Sequence, residues 1–244
     1  NTLMPGFIDI HTHPILSAKT AELIDVSGFN HKNQAEVMES LETGIEEKGS
    51  GEWAIAYGWD PAILRNLEAP TLNELDQMAP ENPLFIIAQT IHSGFANSLA
   101  LEAAGITKDT PNPEGGYFDK DENGELTGLI VEVGAMEKIF DATVKYPRAA
   151  YLYLLTKQME TYSKAGYTTI VAPGLGPIIP KHIQSLQEVA EHPNAPVRVF
   201  TYPLFDRLEK TDFKPSQGNQ KFKVLGPKFW IDGSPYAGGM AMNE

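Results

Sequence analysis

Cysteine is absent from the sequence, which excludes a disulfide framework, a thiolate metal site and a cysteine nucleophile together. Any metal held by this chain must use nitrogen and oxygen ligands. Positive charge is also scarce, with 19 Lys and Arg against 32 Asp and Glu and a formal net charge of -13. Sequence-independent binding to nucleic acid or to an anionic membrane needs a positive surface, so neither is an expected partner. No apolar run approaches the roughly 18 to 20 residues of a membrane span, because Gly, Pro or a charge interrupts each one. No internal repeat or low-complexity tract occurs, which sets a solenoid aside. The opening residues show no basic region followed by an apolar one, so no targeting peptide is read, and the compartment is left open between cytoplasm and periplasm.

What is present suffices for a real core: 244 residues, 42% hydrophobic, the size of one large or two small domains. Leu3 to Ile10 reads as a strand buried on both faces, running into His11-Thr-His13-Pro14. Val37, Leu41 and Ile45 recur every four residues and predict a helix over 35–48. Strands are expected at Trp53 to Trp59 and Pro83 to Thr90, with a short helix over Leu72 to Met78 capped by Thr71. Asn97 to Ala104 is helical in pattern, and 116–131 predicts a hairpin around Asp121-Glu-Asn-Gly124. The pattern then becomes regular: helix Arg148 to Ala165, strand Tyr167 to Ala172, helix Pro180 to Glu191, strand Val197 to Leu204, a polar stretch, and strand Phe222 to Asp232. Strands alternating with helices predict an α/β fold with a parallel sheet. The expected division is 1–30 for a first strand and its loop, 31–140 for an inserted α+β region, and 141–244 for the regular units.

In a strand, residues two apart point the same way, about 6.6 Å from each other, so His11 and His13 can converge on one ion. Asp9 shares that parity and could orient a ligand imidazole. Taken alone, the pair reads more readily as turn residues than as ligands.

The surroundings decide otherwise. Met4-Pro-Gly-Phe-Ile-Asp-Ile-His-Thr-His13 resembles the first-strand signature of the amidohydrolase superfamily. In order there follow Tyr57-Gly-Trp-Asp60, His92-Ser-Gly-Phe-Ala-Asn-Ser-Leu-Ala-Leu101, Gly115 to Gly124 with Leu126 to Glu132, and Lys228-Phe-Trp-Ile-Asp-Gly233. Together these are similar to the YtcJ-like or AepA-like branch of that superfamily, amidohydrolase family 3, over nearly the whole chain.

The resemblance implies a partial TIM (β/α)8 barrel, about its first four strands, with an α+β insertion after the first. It implies a metal-dependent hydrolase of non-peptide, amide-type C-N bonds acting on a small molecule through a metal-activated water. His11 and His13 become ligands of a divalent metal, zinc first, as one or two ions. Lys228, on the fourth strand, becomes a candidate carboxylated ligand bridging two metals; an ordinary strand-end lysine paired with Asp232 is an even alternative. A mononuclear, deaminase-like relative would leave Lys228 unmodified. His92, Asn97 and Trp59 become candidate substrate contacts, and Glu132 a ligand, a supporting acceptor or an exposed carboxylate. His31, His182 and His192 match no motif and are expected at the surface. The terminal Pro235 to Met240 departs from the family pattern.

Ligands expected from later strands are not found in the sequence, so the chain reads as a fragment, inactive alone, with a homo-oligomer left open. The rival reading is a non-catalytic binding or regulatory protein that kept an amidohydrolase-like barrel.

Overall fold

The computed structural model describes residues 3–143, 145, 147–175, 182–205 and 214–229. In chain order the elements are β1 (Phe7–Asp9), α1 (Pro14–Thr20), β2 (Ile24–Asp25), α2 (Gln34–Glu46), β3 (Ala54–Trp59), α3 (Leu72–Met78), β4 (Leu84–Ala88) and β5 (Ser93–Ala96). They continue with α4 (Ser98–Ala103), β6 (Tyr117–Lys120), β7 (Leu126–Val131), α5 (Val133–Ala142), α6 (Arg148–Lys164), β8 (Tyr167–Leu175), α7 (His182–Glu191), β9 (Arg198–Pro203) and β10 (Phe222–Val224). Two compact units result: one combines Asn1–Glu22 with Tyr146–Gly233, and the other is built on Leu23–Lys145. The insertion therefore begins before residue 31, because Ile24 and Asp25 pair in parallel with Ala56 and Tyr57 of β3.

The discontinuous unit carries a four-stranded sheet in the order β1-β8-β9-β10, parallel throughout. Tyr151, Leu155 and Met159 recur every four residues on α6, so one stripe of the helix is buried. That stripe joins Ile15 and Ala18 of α1, Ile170 and Ala172 of β8, Leu186 and Val189 of α7, and Val199, Phe222 and Val224 in a single core. The two-residue spacing of Ile170 and Ala172 places both on this core. β1 departs from expectation: it is three residues long, and Phe7, Ile8 and Ile10 are exposed. Among the described residues it lies at an edge of its sheet and pairs with β8 alone.

In the continuous unit the sheet order is β2-β3-β4-β5-β7-β6, parallel from β2 to β4 and antiparallel beyond. β4 is buried along its whole length. Its side chains alternate: Leu84 and Ile86 join Val37, Leu41, Ile45 and Leu75 from α2 and α3, whereas Phe85 and Ile87 join Ala100, Met136 and Ile139 from α4 and α5. Helices thus cover both faces, which is why the strand reads as a continuous apolar run. The expected hairpin is present, closed by Gly124 at φ +81° and by Asp121 Oδ1, which accepts from the Asn123 and Glu125 amides. Among the described residues no helix is long and apolar enough to cross a membrane.

Candidate metal centre

β1 ends at Asp9, so His11 and His13 lie in the connection to α1 instead of on the strand. Pro14 sets the helical φ at the first position of α1, which makes His13 the N-terminal flanking residue. The segment is anchored between the two histidines. The Thr12 amide donates to the Val171 carbonyl of β8 at 3.0 Å, and the Thr12 hydroxyl shares a 2.8 Å hydrogen bond with the Tyr162 hydroxyl of α6. Held this way, the two imidazoles meet with ring centroids 5.4 Å apart and planes at 75°. Asp9 does not orient either ring, because its Oδ1 accepts from the His11 amide at 3.0 Å.

Lys228 reaches the same end of the sheet by a different route from the one expected. β10 stops at Val224, and Pro227, having no N–H to give a ladder, stands between it and Lys228. Lys228 instead forms an isolated parallel bridge with Leu204: its amide donates to the Pro203 carbonyl at 2.7 Å, and its carbonyl accepts from Phe205 at 3.0 Å. Phe229 stacks on Phe205 at 4.7 Å beside it. Asp232, Gly233 and the terminal loop lie outside the described residues.

His13 senses both of the other groups. The His13 imidazole is held below its ordinary pKa, first by desolvation and then by the neighbouring His11 and Lys228. Crowding within the connection does this although His13 keeps an exposed edge. A ring that resists protonation keeps its lone pair for a metal. Gly174, near the end of β8, lies beside the His13 ring. His11 and His13 follow the carboxyl end of β1, and Lys228 follows that of β10, the end of a parallel sheet where open α/β folds place their ligands. Among the described residues no cluster of three or more His, Asp or Glu converges to hold an ion.

The remaining sequence candidates sit in the continuous unit, and two of them are structural. Asn97 is fully buried: its Oδ1 accepts from the Leu84 and Ala100 amides, and its Nδ2 donates to the Ala79 and Asn82 carbonyls. With every bond used on backbone, it caps α4 and has nothing to offer a substrate. Trp59 is likewise buried, edge-on to Phe95 at 6.0 Å within the core. His92 is half-buried, its Nδ1 2.8 Å from Glu132 Oε2. The sequence left Glu132 open between a ligand, a supporting acceptor and an exposed carboxylate; here it is half-buried and lies against His92, where the strand register ends. His31 Nδ1 lies 3.0 Å from the Ser27 carbonyl, and His192 is an exposed turn residue.

The fold is similar to that of an uncharacterized metal-dependent hydrolase from Pyrococcus horikoshii, whose solved structure matches 95% of the chain at a TM-score of 0.63 and 25% identity. The chain belongs to the amidohydrolase family, whose model matches residues 1–244. It is 37% identical over 134 residues to the N-substituted formamide deformylase of Arthrobacter pascens, covering 55% of this chain and 25% of that protein. Over 179 residues it is 29% identical to the exoenzymes regulatory protein AepA of Pectobacterium carotovorum, covering 71% and 38%. The chain spans well under half the length of these relatives and 43% of the archaeal structure.

Proposed function

We propose that this chain supplies the first metal ligands of a hydrolase that cleaves amide-type C-N bonds of a small molecule. The observation that carries the reading is the meeting of the His11 and His13 rings at 5.4 Å, beside Lys228, at the carboxyl end of a parallel sheet. The donor set fits a divalent ion of the zinc type. Imidazole suits zinc, and the lowered basicity of His13 favours the neutral ring that binds it. Such an ion, when bound, supplies an acidified water and a polarised substrate carbonyl.

The chain's own residues do the rest. Thr12 and Tyr162 fix the backbone between the two imidazoles, so the rings are oriented before an ion arrives. A carbamate on Lys228, formed by addition of carbon dioxide to the amine with release of a proton, would offer anionic oxygens to a second ion, and the modified chain would weigh about 44 Da more. The four parallel strands are read as the opening part of a (β/α)8 barrel, with further ligands supplied from beyond the described residues. The chain alone is therefore proposed to be inactive. The relation to a formamide deformylase supports the amide-type bond. A second reading, a binding or regulatory protein on the same scaffold, is favoured by the longer match to AepA.

Metal content decides between them. After dialysis against zinc, elemental mass spectrometry of the complete protein, with the remaining ligands present, is expected to find bound metal that the folded His11→Ala/His13→Ala variant lacks. Equal and negligible metal in both would overturn the hydrolase reading in favour of the second.

A further inference from the structure

The continuous unit holds a pair of chemically active side chains of its own. In the antiparallel ladder of β5 and β7, Ser93 faces Val131, so His92 and Glu132 are the next facing pair beyond the ladder's end. They are joined twice: the Glu132 amide donates to the His92 carbonyl at 2.7 Å, and His92 Nδ1 lies 2.8 Å from Glu132 Oε2. The two side chains remain 34% and 36% exposed, so the pair is reachable from solvent.

The backbone that presents them is strained on both sides. Ile91 has φ +61°, rare for a β-branched residue. Glu132 has φ +69° and ψ +155°, a region nearly reserved for glycine. Glycine would relieve Glu132 outright but would give up the carboxylate that holds His92. Strain retained around one side-chain contact points to a use for that contact.

With an ionised Glu132 as acceptor, the proton of the neutral ring sits on Nδ1, and Nε2 is left as an acceptor. The pair follows the carboxyl ends of β3 and β4, where the sheet changes from parallel to antiparallel. Gln89, three residues before His92, is tied to the Tyr57 hydroxyl at 2.9 Å, which braces that end of the sheet.

We propose that His92 and Glu132 form a ligand-binding dyad in which His92 Nε2 accepts a hydrogen bond from the N–H of a secondary amide, with Glu132 as the positioning residue that fixes the tautomer. The amide character of the ligand rests on the hydrolase reading above; the tautomer and the strain do not.

The test is nuclear magnetic resonance of the imidazole nitrogens in the metal-free chain, at a pH above the ordinary imidazole range. The expected result is a His92 ring protonated at Nδ1 whose Nε2 resonance shifts on adding N-butylformamide and not on adding N,N-dibutylformamide, which has no N–H. Glu132→Gly should bind the secondary amide about fivefold more weakly, the scale of one hydrogen bond, without unfolding at a lower temperature. Glu132→Gln, which keeps an acceptor oxygen, should restore most of that loss. A wild-type ring indifferent to the secondary amide, or equally responsive to the tertiary one, overturns the site. An equal response in Glu132→Gly overturns the role of Glu132. Since no metal is present, failure of the zinc experiment leaves this result readable.

Discussion

Asn97 and His13 show how much a single side chain is asked to do. Asn97 serves two amides and two carbonyls inside the core. Asn97→Ala would leave several of these unsatisfied and should cost about 3 kcal/mol in urea unfolding, since each buried orphan group costs roughly 1 to 3. For His13 the lowered pKa fixes a sign. Between that value and the ordinary 6.5, the unfolded chain binds the extra proton and the folded chain does not. Stability therefore falls as pH drops through this window. The urea midpoint should decline as the pH is lowered through and below the ordinary imidazole value, and His13→Gln should flatten the decline.

At the level of elements, Gly58 does what no other residue could. It sits where the β3–β4 register slips, at φ +115°, and an added Cβ would lie 2.7 to 2.9 Å from Ser27, including its backbone. Gly58→Ala should destabilise the continuous unit by about 2 kcal/mol, measurable in the same unfolding assay. The elements legible in the sequence were those with strong periodicity, such as α2, with its apolar residue at every fourth position, and β4, with its unbroken apolar run. β2 has two residues and no period to detect, and β5 was hidden inside the motif that begins at His92. The helix start at Asn97 was readable as a cap, and that alone could have warned against a substrate role. Lys228 was placed on a strand although Pro227, just before it, argues against a continuous ladder. The His11/His13 pair was legible because its motif is local. The His92–Glu132 contact was not, since it spans forty positions and exists only through strand register.

For the whole molecule, the exposed apolar residues of the first strand region matter most. Phe7 and Ile8 of the edge strand, and Leu3, Met4 and Ile10 flanking it, are all exposed. An uncovered apolar edge invites another chain, so sedimentation of the purified protein should show association that rises with concentration, and Ile8→Lys should suppress it. A monomer at every concentration would count against this. The division into units also sets an order of events during synthesis. β1 leaves the ribosome before the Leu23–Lys145 unit, yet its pairing partner β8 follows more than a hundred residues later, after that entire unit. Domains fold as units while the chain emerges, and contacts remote in sequence form slowly. The insertion is therefore the first part to mature, and the His11/His13 segment waits, unpaired, for its anchor on Val171.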